Sequence, residues 1–307
     1  MPAYNATDFI APAIESILNQ TYKEFELIVV DDGSTDNTLG VVRRYAQQDD
    51  RVRIIPSEHV GLTRAINLGI SESRYSWVAR MDADDISLPE RFAVQINAVR
   101  TNPKVVAWSA YAFYVNSKGK VFHLSRLGAT TEAEFNRRQE QALDLHCHHS
   151  TVLLNKNTCL AAGGYNPVFE PAEDFELWDR MAQHGPILAI PQPLVLYRVR
   201  SQSVCMQRFG LQRLYMRYVT ARRRARAKGH RELEFEEFLE AQRREPAWSR
   251  LWLELEKFSV LNHRKTMHHF GERQFAKAGL YFGLSTALNP YYTLPRFFRS
   301  LRYTIGV

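Results

Sequence analysis

The sequence predicts an α/β fold in which a largely parallel sheet is covered by helices on both faces. Short apolar strands alternate with segments of helical periodicity over the first hundred residues. The runs at 25–30 and 52–56 are apolar enough for buried strands, and the segments between them place apolar residues three and four positions apart. Because sheets of this kind bind ligands beyond the carboxyl ends of their strands, functional residues are expected there.

The predicted elements follow one another closely from the amino terminus. Apolar residues recur at helical spacing from Phe9 to Leu18, after residues that can cap a helix. Tyr4 and Asn5 stand directly before this helix, where the end of a strand is expected. We therefore expect the first strand to be truncated or to start upstream of residue 1. The next elements are strands over 25–30, 52–56 and 75–81 and helices over 36–47, 61–71 and 88–100.

Beyond residue 115 the alternation loosens, and helices dominate from residue 206 onward. The chain is accordingly divided into a domain over residues 1–205 and a basic, mostly helical carboxyl-terminal extension over 206–307. No internal repeat is present in the sequence. The later elements of the first domain are predicted as strands over 121–126 and 150–154, helices over 131–142 and 173–184, and an extended segment over 187–199.

The composition excludes several classes of protein. Of 307 residues, 45% are hydrophobic and 24% are charged, which is typical of globular rather than disordered chains. The three cysteines are unclustered, which argues against a disulfide framework and favours a reducing compartment. The most apolar run, 105–115, is too short to cross a membrane, and the first residues do not resemble a secretion signal. Neither a dinucleotide-binding G-x-G-x-x-G nor a Walker A motif is present.

Basic charge is concentrated in the extension. Residues 206–307 carry eleven more basic than acidic side chains, whereas residues 1–205 carry four more acidic than basic ones. The asymmetry predicts that catalysis and docking are separated, but charge alone does not distinguish anionic lipid from nucleic acid. Near the carboxyl end, apolar residues alternate with arginines as in helices that lie on a membrane surface. The residues concerned are Tyr291, Tyr292, Leu294, Arg296, Phe297, Phe298, Arg299, Leu301 and Arg302. We expect this segment to touch an anionic membrane without crossing it; the alternative is that it packs on the first domain with its arginines solvated.

Three acidic clusters stand at the predicted ends of strands or at the start of a helix. Asp31 and Asp32 follow a buried strand, residues 81–85 hold three aspartates within four positions, and Glu173 and Asp174 begin a helix. A turn, a helix cap or the helix dipole can each account for one such acid. Aspartates as close as those of the second cluster favour a bound cation, and Mg²⁺ typically combines one or two carboxylates with substrate phosphates. The second cluster therefore predicts a divalent metal site.

Taken together, these segments resemble the family 2 glycosyltransferases, inverting enzymes of the GT-A fold with a Rossmann-like mixed sheet. The resemblance covers about residues 1–200, is specific for fold and chemistry, and says almost nothing about the sugar. The matching segments are 2–5, 16–22, 25–36, 61–69, 81–85, 163–165 and 173–178.

The resemblance implies a role for each matching residue at the donor site. Tyr4 corresponds to the residue that contacts uracil, Asp32 to the acid that reads the base with Asp31 beside it, and Arg64 to a basic residue near the nucleotide or diphosphate. The metal motif corresponds to Asp82-Ala83-Asp84, with Asp82 also near the nucleotide. The implied cofactor is Mn²⁺ or Mg²⁺, and the implied donor is a nucleotide-sugar, in the first place a UDP-sugar.

The acceptor side has fewer implied residues. The resemblance assigns the catalytic base to Asp174 and leaves Glu173 to helix capping or acceptor contacts, with Gly164 and Tyr165 as secondary positions. Many relatives carry a histidine where this chain has Arg200, which predicts either a diphosphate contact or a surface position for that arginine. A nucleoside diphosphate whose charge is neutralised by a metal is a good leaving group and needs no general acid. One carboxylate, acting as the base for the acceptor hydroxyl, is therefore enough for the reaction. The helix dipole favours the ionised form of Asp174.

The resemblance also implies a setting. A hexosyltransferase of this kind would use a glycan or lipid-linked acceptor in cell-surface polysaccharide or glycolipid assembly, in the cytoplasm or at the inner face of the membrane, with no nucleic acid partner. The Gln-x-x-Arg-Trp motif of processive members is absent, which favours transfer of single sugars. Two alternatives are a nucleotidyltransferase, which would need a Gly-rich phosphate loop, and a non-catalytic binding protein, against which the intact acids argue. The run His146-Cys147-His148-His149 fits no structural zinc spacing.

Overall fold

The computed structural model describes residues 1–200 and 203–304, and for residues 204, 205 and 298–304 it describes the backbone alone. The chain divides into two compact units. The first consists of Met1–Phe113, Ser125–Arg138 and Asp144–Tyr197, and the second of Tyr114–Leu124, Gln139–Leu143 and the chain from Arg198 onward. The division after Tyr197 lies eight residues before the boundary expected at 205.

Strands and helices alternate through the first part of the chain, as the periodicity predicts. Its elements are β1 (Pro2–Ala3), α1 (Thr7–Leu18), β2 (Leu27–Asp32), α2 (Thr38–Gln48), β3 (Val52–Ser57), α3 (Leu62–Ser71), β4 (Trp77–Ala79), β5 (Ile86–Ser87), α4 (Arg91–Thr101), β6 (Ala107–Val115), β7 (Val121–Ser125), α5 (Glu132–Glu140), β8 (Leu153–Asn155), α6 (Lys156–Ala161), α7 (Glu173–Met181) and β9 (Ile187–Arg198).

The strands form two sheets of different character. β1, β2 and β3 are parallel and lie in that order, with Pro2 opposite Val30 and Leu27 opposite Val52. In the second sheet the order is β4-β8-β6-β9-β5, β7 pairs with β6, and the pairs β4–β8, β6–β8 and β5–β9 are antiparallel. The mixed sheet implied by the resemblance is thus confirmed. The parallel arrangement read from the periodicity is wrong beyond β3, because an apolar run is the same for a buried strand of either direction.

The predicted strand over 75–81 is shorter in the structure, where β4 covers only Trp77–Ala79. The N–H of Arg80 still donates to the Val152 carbonyl, and the chain beyond Arg80 forms the acidic turn described below. The first strand is also short, since β1 has two residues, as the position of Tyr4 and Asn5 led us to expect.

The apolar faces of the helices cover the sheets and form the core of the first unit. Helix α1 buries Ile10, Ala13, Ile14 and Ile17, the residues at helical spacing in the sequence. They pack in one cluster with Val29 of β2. A second cluster includes Trp178 and Leu177 of α7 and is centred on β6 and β8. Burial of each large aliphatic side chain contributes about 1.5–3 kcal/mol, so these two clusters hold the strand ends in place.

The second unit is built mainly of helices, as predicted for the extension. They are α8 (Val204–Gln207), α9 (Phe209–Ala227), α10 (Phe235–Arg244), α11 (Ala247–Gly271), α12 (Phe275–Leu288) and α13 (Pro290–Thr304). Within this unit Ser259 and Ser285 exchange hydrogen bonds of 2.8–2.9 Å with each other's carbonyl groups, and the Ser285 hydroxyl lies 2.7 Å from that of Thr293. In the described part of the chain, no helix combines the length and the apolar character needed to cross a bilayer.

Candidate active site

The end of β2 presents a pair of buried aspartates, one of which organises the following loop. Asp32 accepts hydrogen bonds from the backbone N–H groups of Val60 at 2.8 Å and Gly61 at 3.1 Å, and its Oδ2 lies 3.0 Å from Nδ1 of His59. Gly61 adopts a φ of +92°, a conformation that favours glycine. Asp31 is buried beside it, and its Oδ1 has no hydrogen-bond partner among the described residues. A buried acceptor without a partner is costly unless a ligand completes it.

An aromatic ring and a cation flank this carboxylate pair. Tyr4 is 46% exposed and its ring stacks on His59, with 4.1 Å between the ring centroids. Arg64 is exposed in the first turn of α3, where its Nη1 lies 3.4 Å from the Val60 carbonyl. The loop that Asp32 holds therefore carries His59, on which Tyr4 stacks, and leads to Arg64. A stacking face, carboxylates and a cation are the groups that bind a nucleotide.

The end of β4 presents the second acidic cluster, organised by an arginine and a serine. Arg80 is buried and donates from Nη1 to Oδ2 of Asp82 at 2.5 Å and to Oγ of Ser150 at 3.2 Å. The Ser150 hydroxyl also donates to Asp82 Oδ2 at 2.9 Å. The side chain of Asp82 keeps 31% of its surface exposed. Burial alone would lower the pKa of Arg80, but the carboxylate of Asp82 holds that pKa above its ordinary value.

Two further aspartates complete the cluster. Asp84 is partly exposed in the turn between β4 and β5, and Asp85 is buried. Arg91, at the start of α4, is also buried, and its pKa is lowered to about 9 by burial, an effect that Asp85 opposes. Its Nη2 donates to the Arg80 carbonyl at 2.8 Å, which fixes the backbone just before the acidic turn.

The residues of this turn suit a hard divalent cation in their chemistry. Within the described residues, no group of three or more His, Cys, Asp or Glu side chains is placed to hold a metal. Asp82 and Asp84 offer carboxylate oxygens, however, and Mg²⁺ commonly takes only one or two such ligands together with substrate phosphates. Because Asp82 retains exposed surface while Arg80 and Ser150 occupy one of its oxygens, the pair fits a cation shared with a diphosphate.

The start of α7 presents the third acidic pair in a buried setting. Glu173 is buried, and its Oε2 has no hydrogen-bond partner among the described residues. Its pKa is raised to about 8 by burial and by the neighbouring charge of Asp174. Asp174 is partly exposed and accepts a 2.7 Å hydrogen bond from the Phe175 N–H. Burial raises the pKa of Asp174, while Phe175 and Arg80 oppose the rise. The expectation that the helix terminus lowers this pKa is therefore wrong in direction, because desolvation outweighs the dipole.

Arg80 links the second and third acidic clusters. Its charge acts on Asp82, on Glu173 and on Asp174, so the three carboxylates share one electrostatic environment. Sequence reasoning overlooked both Arg80 and Ser150. The available signal was an arginine inside an apolar strand directly before three aspartates, since an arginine is rarely buried without a paired carboxylate.

The Gly-Gly-Tyr segment supports the site from the core. Tyr165 is buried, and its hydroxyl is 2.8 Å from Nε2 of His149. Asn67 of α3 pairs with the backbone of Tyr165 through hydrogen bonds of 2.7 and 2.9 Å. Gly164 has a φ of +67°, and a Cβ there would lie 3.0 Å from the Asn67 side chain. The acceptor contacts predicted for Gly164 and Tyr165 remain predictions, whereas their packing role is visible.

Other predicted residues lie in different surroundings. Arg200 belongs to the second unit, two residues after the end of β9. In the histidine run, Nε2 of His148 lies 2.9 Å from Oγ of Ser125, and His149 contacts Tyr165. A further link that the sequence did not reveal is Glu170, whose Oε2 accepts from the N–H and hydroxyl of Thr63 at 3.3 and 2.8 Å. This contact joins the loop before α7 to the start of α3.

Comparison with known proteins decides the family. A model of the family described as "Glycosyl transferase family 2" matches residues 1–157, more than half of the chain. The chain belongs to glycosyltransferase family 2. This glycosyltransferase is 31% identical over 197 residues to the amylovoran biosynthesis glycosyltransferase AmsE of Erwinia amylovora, which covers 64% of the chain and 72% of the relative. The alignments with three curated relatives span 63%, 72% and 79% of their lengths.

Solved structures share the fold of this glycosyltransferase. The mannosyltransferase PcManGT of Pyrobaculum calidifontis, in complex with GDP-Man and Mn²⁺, superposes with a TM-score of 0.55 at 17% identity, covering 93% of this chain and 73% of that one. S. aureus TarS 1–349, in complex with UDP-GlcNAc, gives 0.56 at 14% identity, with 93% and 89% covered. The likeness confirms the GT-A fold.

Proposed function

We propose that this glycosyltransferase moves one sugar from a nucleoside diphosphate sugar, a UDP-sugar, to an acceptor hydroxyl with inversion at the sugar carbon. The observation that carries the proposal is the position of Arg80, which donates to Asp82 in the acidic turn after β4 and whose charge also acts on the acidic pair at α7. A donor phosphate site and a proton acceptor in one environment are what a single displacement requires.

The nucleotide is assigned to the end of β2. Tyr4 offers an exposed ring on which a base can stack, and Arg64 offers an exposed guanidinium for a phosphate. Asp32 is held in place because it accepts hydrogen bonds from backbone amides of the following loop. Asp31 has a buried oxygen that can accept a hydrogen bond from an N–H group of the base. Solved neighbours with GDP-Man and with UDP-GlcNAc support a nucleotide-sugar donor.

The diphosphate is assigned to Asp82 and Asp84. A divalent ion held there would neutralise the charge that develops on the departing nucleoside diphosphate. Arg80 orients the Asp82 carboxylate through a charge-assisted hydrogen bond of 2.5 Å. Ser150 completes this orientation by binding both the side chain and the backbone N–H of Asp82.

The proton from the acceptor is assigned to Asp174. Because the pKa of Glu173 is raised to about 8, that carboxyl is protonated at neutral pH and cannot act as the base. Asp174 is the partly exposed member of the pair, and Phe175 and Arg80 favour its ionised form. Neutral Glu173 also removes a like charge from beside Asp174, which opposes the rise that burial causes in the pKa of Asp174.

Purified protein incubated with Mn²⁺ and a panel of UDP- and GDP-sugars tests the proposed donor. We expect nucleoside diphosphate release from one UDP-sugar above all others, accelerated by the acceptor and abolished by EDTA. Release that is independent of metal, or confined to GDP-sugars, contradicts the corresponding part of the proposal. The names of relatives acting in amylovoran and O-antigen synthesis favour cell-surface polysaccharide or a glycolipid precursor as the product.

The second unit is proposed to dock on an anionic membrane surface through α11. Trp248, Leu251, Trp252 and Phe258 lie on one face of that helix and are all more than half exposed. A large exposed apolar patch beside excess positive charge is characteristic of helices that lie in the headgroup region. The apolar face of α13 is partly engaged, since Phe297 packs on Phe282 at 4.1 Å. The side chains of Phe298, Arg299, Leu301 and Arg302 lie outside the described residues.

A further inference from the structure

Helix α3 is capped at its start by a residue from a distant loop. Its N-cap residue, Gly61, has no side chain to accept a hydrogen bond from the first turn. Instead, Oε2 of Glu170 accepts hydrogen bonds from the Thr63 N–H at 3.3 Å and from the Thr63 hydroxyl at 2.8 Å, across 107 positions of the chain. A carboxylate at this place satisfies an N–H group that the helix leaves open, and the helix dipole favours its charge. Glu170 therefore fixes the turn of α3 that carries Arg64.

A second contact binds α3 to the same loop, one helical turn further along. Asn67 follows Thr63 by about one turn and hence lies on the same face of the helix. Its side chain accepts from the Tyr165 N–H at 2.9 Å and donates to the Tyr165 carbonyl at 2.7 Å. A Cβ at Gly164 would lie 3.0 Å from Oδ1 of Asn67, so glycine permits this close approach. The segment 164–170 is thus bound to α3 at both of its ends.

The same loop is braced against helix α7, which begins with the acidic pair. Arg180, in the last turn of α7, donates from Nη2 to the Gly164 carbonyl at 2.7 Å and to Oε2 of Glu176 at 2.5 Å. At the other end of the loop, the N–H of Ala172, the residue before α7, donates to the Phe169 carbonyl at 2.5 Å. The start of α7 is therefore held in a fixed relation to the loop and, through the loop, to α3.

We propose that Glu170 is a positioning residue for sugar transfer, which holds Arg64, assigned to a phosphate, in a fixed relation to Asp174, assigned as the base. This role rests on the proposed function, and Glu170 fulfils it through Thr63. A displacement of about 1 Å between groups that must meet at the reacting centre can slow a reaction about 100-fold. The charge of Glu170 also reaches the acidic pair, since after burial and the charge of Asp174 it is a further cause that raises the pKa of Glu173.

A double-mutant cycle tests whether the contact between Glu170 and Thr63 sets the rate. The rate is UDP release from the UDP-sugar that the donor panel selects, with water as the acceptor, and UDP affinity with Mn²⁺ is measured on the same preparations. Glu170→Ala and Thr63→Val should each lower kcat about tenfold and weaken UDP binding by less than about threefold. The double variant should be no slower than either single variant, because both remove the same contact. Glu170→Gln keeps an acceptor oxygen and should retain most of the rate.

The matched control is Glu134→Ala, which also removes a carboxylate from the start of a helix. Glu134 lies in the first turn of α5, in the same unit, and accepts from the Thr130 N–H at 3.1 Å. This variant should leave both kcat and UDP affinity unchanged. An unchanged kcat in Glu170→Ala, additive losses in the double variant, or an equal fall in Glu170→Gln would overturn the proposal.

Hydrogen exchange tests the same role without turnover. UDP with Mn²⁺ should slow exchange at the Tyr165 amide and over residues 173–178 of the unmodified protein, because a nucleotide bound at the start of α3 restrains the loop tied to it. The slowing should be lost in Glu170→Ala and retained in Glu134→Ala. A contact that only stabilises the fold would speed exchange in the free variant and leave the effect of UDP intact, which would overturn the proposal, as would UDP that binds the unmodified protein without slowing exchange there. Failure of UDP to bind at all would instead contradict the proposed nucleotide site, and this role of Glu170 with it.

Discussion

The two units of this glycosyltransferase use charged and apolar residues in opposite ways. In the first unit charged groups are buried, as Arg80 and Glu173 show, and the charge of Arg80 acts on both Asp82 and Glu173. In the second unit large apolar residues are exposed, among them Trp248 and Trp252 at 74% and 55% of their surface. Buried charges with shifted pKa values are typical of reactive sites, and exposed apolar patches are typical of binding surfaces. The contrast supports our proposal that chemistry belongs to the first unit and docking to the second.

The largest expected effect is at Asp174. The substitution Asp174→Asn preserves shape and removes the base, so transfer should fall about 100-fold or more while donor binding is retained. Steady-state rates and donor affinity measured on the same preparation check this. Glu173→Gln is the matched control, since the pKa of Glu173 near 8 already keeps that carboxyl neutral. Normal transfer by Asp174→Asn with loss in Glu173→Gln would reverse the two roles.

The buried carboxyl group of Glu173 is expected to make the stability of the protein depend on pH. Because the pKa of Glu173 is raised from 4.5 to about 8, its protonated form favours folding. Its contribution is complete below pH 4.5 and is lost as the pH rises to about 8, on the order of 5 kcal/mol in all. Glu173→Gln should remove most of this decline. Urea unfolding at pH 5, 6.5 and 8.5 checks it, and identical pH profiles for both proteins would argue against a raised pKa.

A smaller effect is expected at Tyr4, whose exposed ring lies where the nucleotide base is proposed to bind. Tyr4→Ala removes a stacking surface that is worth about 1–3 kcal/mol for a base, so UDP should bind about tenfold more weakly. Tyr75→Ala is a suitable control, because Tyr75 is similarly exposed in the same unit, at 49% against 46%. Calorimetric titration of both variants with UDP decides whether Tyr4 touches the base, and equal affinities would remove it from the site.

The docking surface carries the smallest expected effect. Replacing Trp248 and Trp252 together by alanine should reduce sedimentation with anionic liposomes several-fold at low salt and leave transfer to a water-soluble acceptor unchanged. Tyr75→Ala serves again as an exposed aromatic control, this time from the other unit. Equal sedimentation with neutral and anionic vesicles would favour a helix surface that simply faces water.

The sequence predicted the alternating elements and the acidic clusters because periodicity and local residue type determine them. Asp32, Asp82 and Asp174 each lie where a strand ends or a helix begins, within a few residues of the predicted bounds. The features that the sequence did not predict depend on contacts between residues that are far apart in the chain. Ser150 reaches Asp82 across 68 positions, and the direction of the pKa shift at Asp174 follows from burial that no local pattern encodes.

The strand order also escaped prediction, for a related reason. Apolar runs mark β4, β6 and β8 as buried, but their antiparallel pairing follows from the path of the chain between them. By contrast, the shortness of the first strand was expected from Tyr4 and Asn5 alone, because their position left few residues before α1.

Isothermal titration of UDP into the protein and into Asp84→Ala, each with Mn²⁺ and with EDTA, tests the central claim most directly. The claim is that the acidic turn after β4 binds a cation shared with a nucleoside diphosphate. The account predicts binding by the unmodified protein only with Mn²⁺, no metal-dependent binding by Asp84→Ala, and unchanged binding by the control Asp50→Ala, which alters an exposed acid of the same unit. UDP affinity that is the same with and without EDTA, and the same in Asp84→Ala, would contradict it.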